Sequence, residues 1–311
     1  MNDFNFYIAS CVRDGGVYKY HFSDGKAELT EKIPLDMPMY IAKEGDILHV
    51  ILNDPYADNR QSGYVKIENG TPGDIIPTHG LVACHLCADD GQIYCVNYMS
   101  GNVVKLPDTD DMHTGNSIHP TRQTEPHTHY VCLSPEGKYI LAVDLGTDTI
   151  YTYTKELELV STATVPSGSG CRHLEYRNGY YYCANELTSD VSVFAYDDGR
   201  LTLLDTYPGL PSDFKEKNTM AAIRTDGDYL YVSNRGHNSI VSYKINGSKL
   251  ELIDFFPCGG NSPRDFNIYG NILICTNEKS NNVTFFEIKD GRLYPLEEEL
   301  QIPAPLCVIF E

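Results

Sequence analysis

Six short segments carry residue types that can do chemistry together: His127-Thr128-His129, Arg172-His173, Asn185-Glu186, Asn234-Arg235, Arg264-Asp265 and Asn277-Glu278. Arginine presents a rigid fork of donors to carboxylate or phosphate oxygens. Histidine and glutamate move protons near neutral pH. Hydrolysis of an ester or lactone needs an activated water, donors for the developing oxyanion and a proton for the departing alkoxide. A site that gathers these arginines with a histidine and a glutamate would supply all three. Simpler readings compete with that one. Neighbouring Arg and Glu also form structural ion bridges, and Asn or Asp at a strand corner usually bonds its own backbone. His127 and His129 stand at i, i+2, on one face of a strand. That spacing suits zinc, but no third ligand accompanies the pair and no metal is expected. Cys84-x-x-Cys87 has an odd spacing, which in an extended strand puts the thiols on opposite faces. No glycine-rich phosphate loop joins a strand to a helix, so no cofactor is expected either.

A repeat must position these segments. Residues 93–98, 140–145, 181–186, 230–235 and 273–278 share one pattern, an apolar strand ending in a small polar corner, and each is followed by an alternating strand such as Val191-Ser192-Val193-Phe194. Weaker copies begin at residues 6 and 47. The corners Asn97, Asp144, Asn185, Asn234 and Asn277 recur at roughly 45-residue intervals, the size of a four-stranded propeller blade. Another strand precedes each repeat across turns such as Pro135-Glu136-Gly137-Lys138, and a short last strand follows it. The expectation is an all-β fold, a seven-bladed β-propeller of four-stranded antiparallel blades that takes in residues 1–311 as one domain. We label the strands of a blade A to D from the axis outward. The sequence opens on a B-type strand and closes on an A-type strand at 305–310. The C-terminal strand should therefore join the N-terminal blade and remove the open edges of the ring. In such a ring the starts of the A strands and the B–C corners converge on one rim of the axial channel. That rim collects His127, His129, Asp144, Arg172, His173, Asn185, Glu186, Asn234, Arg235, Arg264, Asp265, Asn277 and Glu278. The chain has only ten arginines, and three fall at these few positions.

The formal net charge is −19, which argues against nucleic acid and anionic membranes as partners because both call for a basic patch. A small anion remains acceptable, since distant charges are screened beyond about 8 Å at physiological salt. No basic stretch followed by an apolar run opens the sequence, and no apolar run nears the ~18 residues of a membrane span. A cytoplasmic location and a monomer or weak homodimer are the expectations. Most of the ten cysteines lie inside strands, among them Cys95, Cys132, Cys183, Cys275 and Cys307, and read as small buried hydrophobes. Residues 53–61, 108–123 and 212–217 fall outside the repeat. The last two are candidate surface loops or lids over the rim.

Several segments resemble a known family. Pro126-His127-Thr128-His129 with Ser134-Pro135-Glu136-Gly137 resembles a PHxH…SPDG segment, and Gly168-Ser169-Gly170-Cys171-Arg172-His173-Leu174 resembles GxGPRH(L/M), with Cys171 at the proline. Asn185-Glu186-Leu187, Ser233-Asn234-Arg235-Gly236-His237 and Pro263-Arg264-Asp265-Phe266 resemble its NEL, SNRGH and PRDF segments. The family is that of the seven-bladed lactonases, which contains propeller-type 6-phosphogluconolactonases and is similar to carboxy-muconate cyclases. The resemblance runs in order from about residue 80 to the C-terminus and is weaker upstream. It implies a catalytic set of one His, two Arg and one Glu, at His129, Arg172, Glu186 and Arg235 by motif position. His129 is preferred to His127 because it keeps the offset to Pro135. Substrate contacts are then expected from His127, His173, Asn185, Asn234 and Arg264. The implied partner is a small anionic lactone, foremost 6-phospho-D-glucono-1,5-lactone. A cycloisomerase, a lactonase for another carboxylated lactone and a non-enzymatic binding propeller are the alternatives.

Overall fold

The B strands, such as Tyr139–Asp144 and Ile272–Asn277, are buried at every residue. A strand covered on both faces reads as a continuous apolar run. That pattern arises where each sheet stands on edge between two neighbours, as the blades of a propeller do. The D strands on the outside, such as Arg200–Pro208, are exposed or half-buried throughout. The structure, a computed structural model, describes residues 3–56 and 61–311.

Seven antiparallel sheets make the ring. Blade 1 takes its A strand from Pro305–Phe310 and its other strands from Asp3–Ser10, Gly16–Ser23 and Lys26–Ile33, so the two ends of the chain close the ring as expected. Aromatic stacking locks that seam, with Phe22 against Phe285 of blade 7 at 5.5 Å between ring centroids. The sheets of blades 4, 5, 6 and 7 begin at the A strands Thr128–Leu133, Cys171–Arg177, Thr219–Asp226 and Pro263–Tyr269. Blade 2 departs from the pattern: its outer edge is split into Thr71–Pro72 and Ile76–Leu81, both paired to Gln61–Glu68. In blade 3 the A strand is Ala83–Asp89, and the D strand, Thr109–Met112, falls inside the 108–123 stretch, so only the remainder of that stretch is loop. The 53–61 loop lies partly outside the described residues.

Every A strand carries a β-bulge at the same point, where it passes the end of strand B. The skipped residues are Leu306, Met39, Cys84, His129, Arg172 and Arg264 in blades 1, 2, 3, 4, 5 and 7. In blade 6 Ala221 and Ala222 share the place opposite Ser233. A bulge breaks the two-residue alternation and re-aims one side chain. Here it turns side chains toward the axis. It also overturns two parity expectations. Cys84 and Cys87 pack on the same inter-blade cluster rather than on opposite faces. His127 and His129 do not share a strand face, because the bulge falls at His129.

Candidate active site

The bulge residues Met39, Cys84, His129 and Arg264 line an axial cavity of about 450 Å³. The residues just after three B–C corners, Tyr98, Glu186 and Arg235, complete much of its wall. A narrow recess continues beneath, lined by Arg172, His173, Asp265 and Leu306. The cavity therefore has an apolar arc from blades 1 to 3 and a charged arc from blades 4 to 7.

Glu186 is the electrostatic centre. It follows the corner of strand B in blade 5, and its backbone N–H donates to the Gly170 carbonyl at 2.7 Å. Gly170 has φ +65°, and a Cβ there would come within 2.5 Å of the Leu187 side chain. Glycine is thus required at the approach to Arg172. Three guanidinium groups meet the Glu186 carboxylate: Arg122 at 2.6 Å, Arg235 at 2.8 Å and Arg172 through Nε at 3.0 Å. Burial alone would raise the Glu186 pKa. Arg235 and Arg172, then Arg122, outweigh it and hold the carboxyl well below its usual range. Burial, with Arg235 and Arg264 close by, pushes the Arg172 guanidinium down from its ordinary value. Arg172 Nη1 and Arg235 Nε are buried with no hydrogen-bond partner among the described residues. Unsatisfied charged donors are costly to bury, so these two arginines hold donor capacity that their present partners leave unused.

His129 lines the cavity, and its buried Nδ1 is likewise without a partner. Its neighbours are the edge of Tyr98, at 5.6 Å between centroids, and His173 at 5.4 Å. Burial first, then Arg172, keeps its pKa well below the ordinary histidine value, so the imidazole is neutral at pH 7. His85 and His173 sit in the same cluster, 5.4 Å apart, and are held neutral mainly by burial as well. In the unfolded chain all three take protons near pH 6.5, whereas in the fold they resist. Stability is therefore expected to fall as pH drops below about 6.5, by up to ~1.4 kcal/mol per unit for each histidine. Chemical denaturation at pH 7.5 and 5.5 would measure this, with His85→Phe reducing the slope. A flat profile over that range would refute the neutral cluster.

Arg122 has no place in the repeat. It arrives on the loop after Thr109–Met112, which is pinned to blade 4. His113 bonds Asp144 at 2.7 Å and Tyr153 at 2.9 Å, and Gln123 donates to the Leu145 carbonyl at 2.8 Å and to Asp148 at 2.7 Å. Arg122 also donates to the Tyr98 hydroxyl at 3.0 Å. Tyr98 itself had a legible signal, since it holds the same post-corner phase as Glu186 and Arg235.

Of the expected positions, the fold brings His129, Glu186, Arg235 and Arg264 to the cavity and Arg172 and His173 to its floor. Three expected substrate contacts are corrected. His127 lies behind the wall, stacked on Tyr98 at 4.5 Å between centroids and bonded through Nδ1 to the Tyr98 carbonyl at 3.0 Å. Asn185 is fully buried and donates to Asp190 at 2.6 Å and Ser192 at 2.8 Å. Asn234 donates to the Gly209 carbonyl at 2.9 Å and accepts from Asn218 at 2.8 Å. These asparagines spend their side chains holding the corner. His173 is a buried floor residue packed on Tyr130 and His129 rather than a residue of the main wall.

The family model described as "Lactonase, 7-bladed beta-propeller" matches residues 5–310. The 6-phosphogluconolactonase of Bacillus subtilis (strain 168) is 30% identical over 351 residues, covering 100% of this chain and 99% of that protein. Two solved structures share the fold. A putative 6-phosphogluconolactonase from Bacteroides uniformis superposes with a TM-score of 0.92 at 24% identity, with 100% of both chains covered. A periplasmic gluconolactonase from Pseudomonas aeruginosa does so with a TM-score of 0.89 at 23% identity, with 99% of both chains covered.

Proposed function

Because the chain belongs to the seven-bladed β-propeller lactonase family, we propose that its axial cavity hydrolyses a sugar lactone, with 6-phospho-D-glucono-1,5-lactone as the substrate. The observation that carries the reading is the pairing in one cavity of a neutral, unpartnered His129 with buried arginine donors fixed on Glu186. A neutral imidazole can accept a proton, whereas a carboxylate held by three guanidinium groups is a weak base.

His129 takes a proton from a water that attacks C1. The carbonyl oxygen becomes an oxyanion facing the free donors of Arg235 and Arg172. As the tetrahedral species collapses, the bond from C1 to the ring oxygen breaks, and His129 returns its proton to that oxygen. The products are the open-chain hydroxyl and a carboxylic acid, which ionises in water. Glu186 holds the arginines in place through the cycle, so no step reorganises them. Tyr98 and Arg122 close the side of the cavity.

The test is hydrolysis of freshly generated 6-phosphogluconolactone against a no-enzyme blank, because this lactone opens unaided. Arg172→Ala removes a floor donor but leaves Glu186 two arginines. The variant is expected to stay folded and to lose about 10²–10³-fold in kcat. Near-wild-type turnover in the variant would sink the assignment of Arg172. A wild-type rate equal to the blank would sink the substrate.

A further inference from the structure

A second cavity of about 420 Å³ opens beside the first and shares Thr219, Arg235 and Arg264 with it. Its outer wall carries Lys217 and Lys279, and its one carboxylate is Glu278. In a chain with net charge −19 this is a local excess of cations. Among the described residues neither lysine has an ion pair or a side-chain hydrogen bond, and the same is true of Arg264 at the seam between the cavities. Surface lysines here commonly sit on a carboxylate, as Lys249 does on Asp205 and Lys138 on Asp198.

The backbone beneath the two lysines is fixed although their side chains are free. Lys217 ends the 212–217 loop. Asn218 beside it donates to Asn234 at 2.8 Å and to Ser189 at 2.9 Å, and accepts from the His237 N–H at 3.0 Å. Gly236 has φ +127°, and a Cβ there would stand 2.2 Å from the Lys217 carbonyl oxygen, so glycine lets the loop lie directly on the blade 6 corner. Across the opening, the Lys279 N–H donates to the Asn261 carbonyl at 3.1 Å and the Glu278 N–H to the Ser262 carbonyl at 3.0 Å. The end of the 212–217 loop at Lys217 is thus held in place as part of this cavity's wall.

We propose that this second cavity is a phosphate subsite, in which Lys217, Lys279 and Arg264 receive the phosphate of a phosphorylated sugar lactone whose carbonyl lies between His129 and Arg235. The assignment rests on the lactonase reading above and adds the residues that would receive the phosphate. A hexose lactone phosphorylated at C6 carries its two recognised groups at opposite ends, and the two contiguous cavities present matching chemistry. Two flexible ammonium groups and a guanidinium suit a dianion. Glu278, opposite, can accept hydrogen bonds from sugar hydroxyls.

The test uses the full chain and a Lys217→Gln/Lys279→Gln double variant. Both positions are exposed, and thermal unfolding would verify the fold. Steady-state kinetics with 6-phosphoglucono-1,5-lactone and with glucono-1,5-lactone give the preference for the phosphorylated form. That preference is expected to fall about 10–100-fold, mainly through KM. An unchanged preference, or a parallel loss on both lactones, would overturn the subsite. Calorimetric titration with 6-phosphogluconate, gluconate and inorganic phosphate at low salt reads the subsite without turnover. If neither lactone is hydrolysed, the catalytic reading fails alone. Binding of 6-phosphogluconate that the double variant loses would then still support the subsite, and its absence in the wild-type protein would overturn it.

Discussion

Glu186→Gln is expected to lower turnover by about 10²–10³-fold and stability by about 3–5 kcal/mol. The carboxylate is 3% exposed, and three guanidinium groups end on it. A glutamine keeps one acceptor oxygen but turns an NH₂ group toward donors, so it can satisfy only part of that set. Arg172 suffers most. It is 2% exposed, Arg235 and Arg264 crowd it, and without Glu186 the carboxylate left near it is Asp265, which is already paired with Arg224 at 3.0 Å. Both arginines would then lose the geometry that aims their free donors at the oxyanion. Urea unfolding and steady-state kinetics at pH 7 measure the two effects. Unchanged stability would mean that the arginines find other partners, and unchanged turnover would remove Glu186 from the site. The sign of the pH dependence follows from the depressed carboxyl pKa. The stabilisation by Glu186 is fully present above the ordinary carboxylate range, and it is lost as pH falls through the depressed value.

The ring itself was legible because its signals are local and repeated. Corner asparagines, turn residues and fully apolar B strands mark each blade, and the phase of the repeat located the rim. The phase was coarse by one residue. At the corners the asparagine or aspartate is consumed by the fold, as Asn185 and Asn234 are by their hydrogen bonds, while the next residue faces the cavity. Simple alternation failed in the A strands because of the bulge, which has no sequence signature of its own there. The residues at the bulge range from Met39 to Arg264, so the backbone irregularity is shared while the side chain is free to vary. That separation explains how one ring position can be apolar in four blades and carry a histidine or an arginine in the other three. Arg122 was hidden for a different reason. Its place depends on tertiary bonds from His113 and Gln123 to blade 4, which no periodicity reports.

The local charge of the rim also reconciles an acidic chain with the anionic substrate proposed for it. Arg122, Arg172 and Arg235 share one carboxylate, which leaves an excess of positive charge at the axis, and Arg264, Lys217 and Lys279 extend it outward. Acidic side chains far outside this set are screened by salt. The cavity therefore presents a positive potential along the path an anion would take.

His129→Gln is expected to lower kcat by about 10²–10⁴-fold while leaving the protein folded, because the buried Nδ1 has no hydrogen bond to lose among the described residues and burial favours the neutral imidazole. The pH dependence separates a proton carrier from a packing residue. In the wild-type protein kcat/KM should hold at neutral pH and fall on the acid side, with a midpoint below the usual histidine value of about 6.5, because burial and Arg172 resist protonation. In the variant that limb should vanish even if a residual rate survives. A base at Glu186 predicts something else. Its limb would lie below the ordinary carboxylate range, and His129→Gln would leave it in place. If the variant keeps the acid limb and loses less than tenfold, proton transfer does not belong to His129. Glu186 would then have to give up an arginine to the incoming anion before it could act as the base, and Arg122, the most exposed of the three, would be the one to leave.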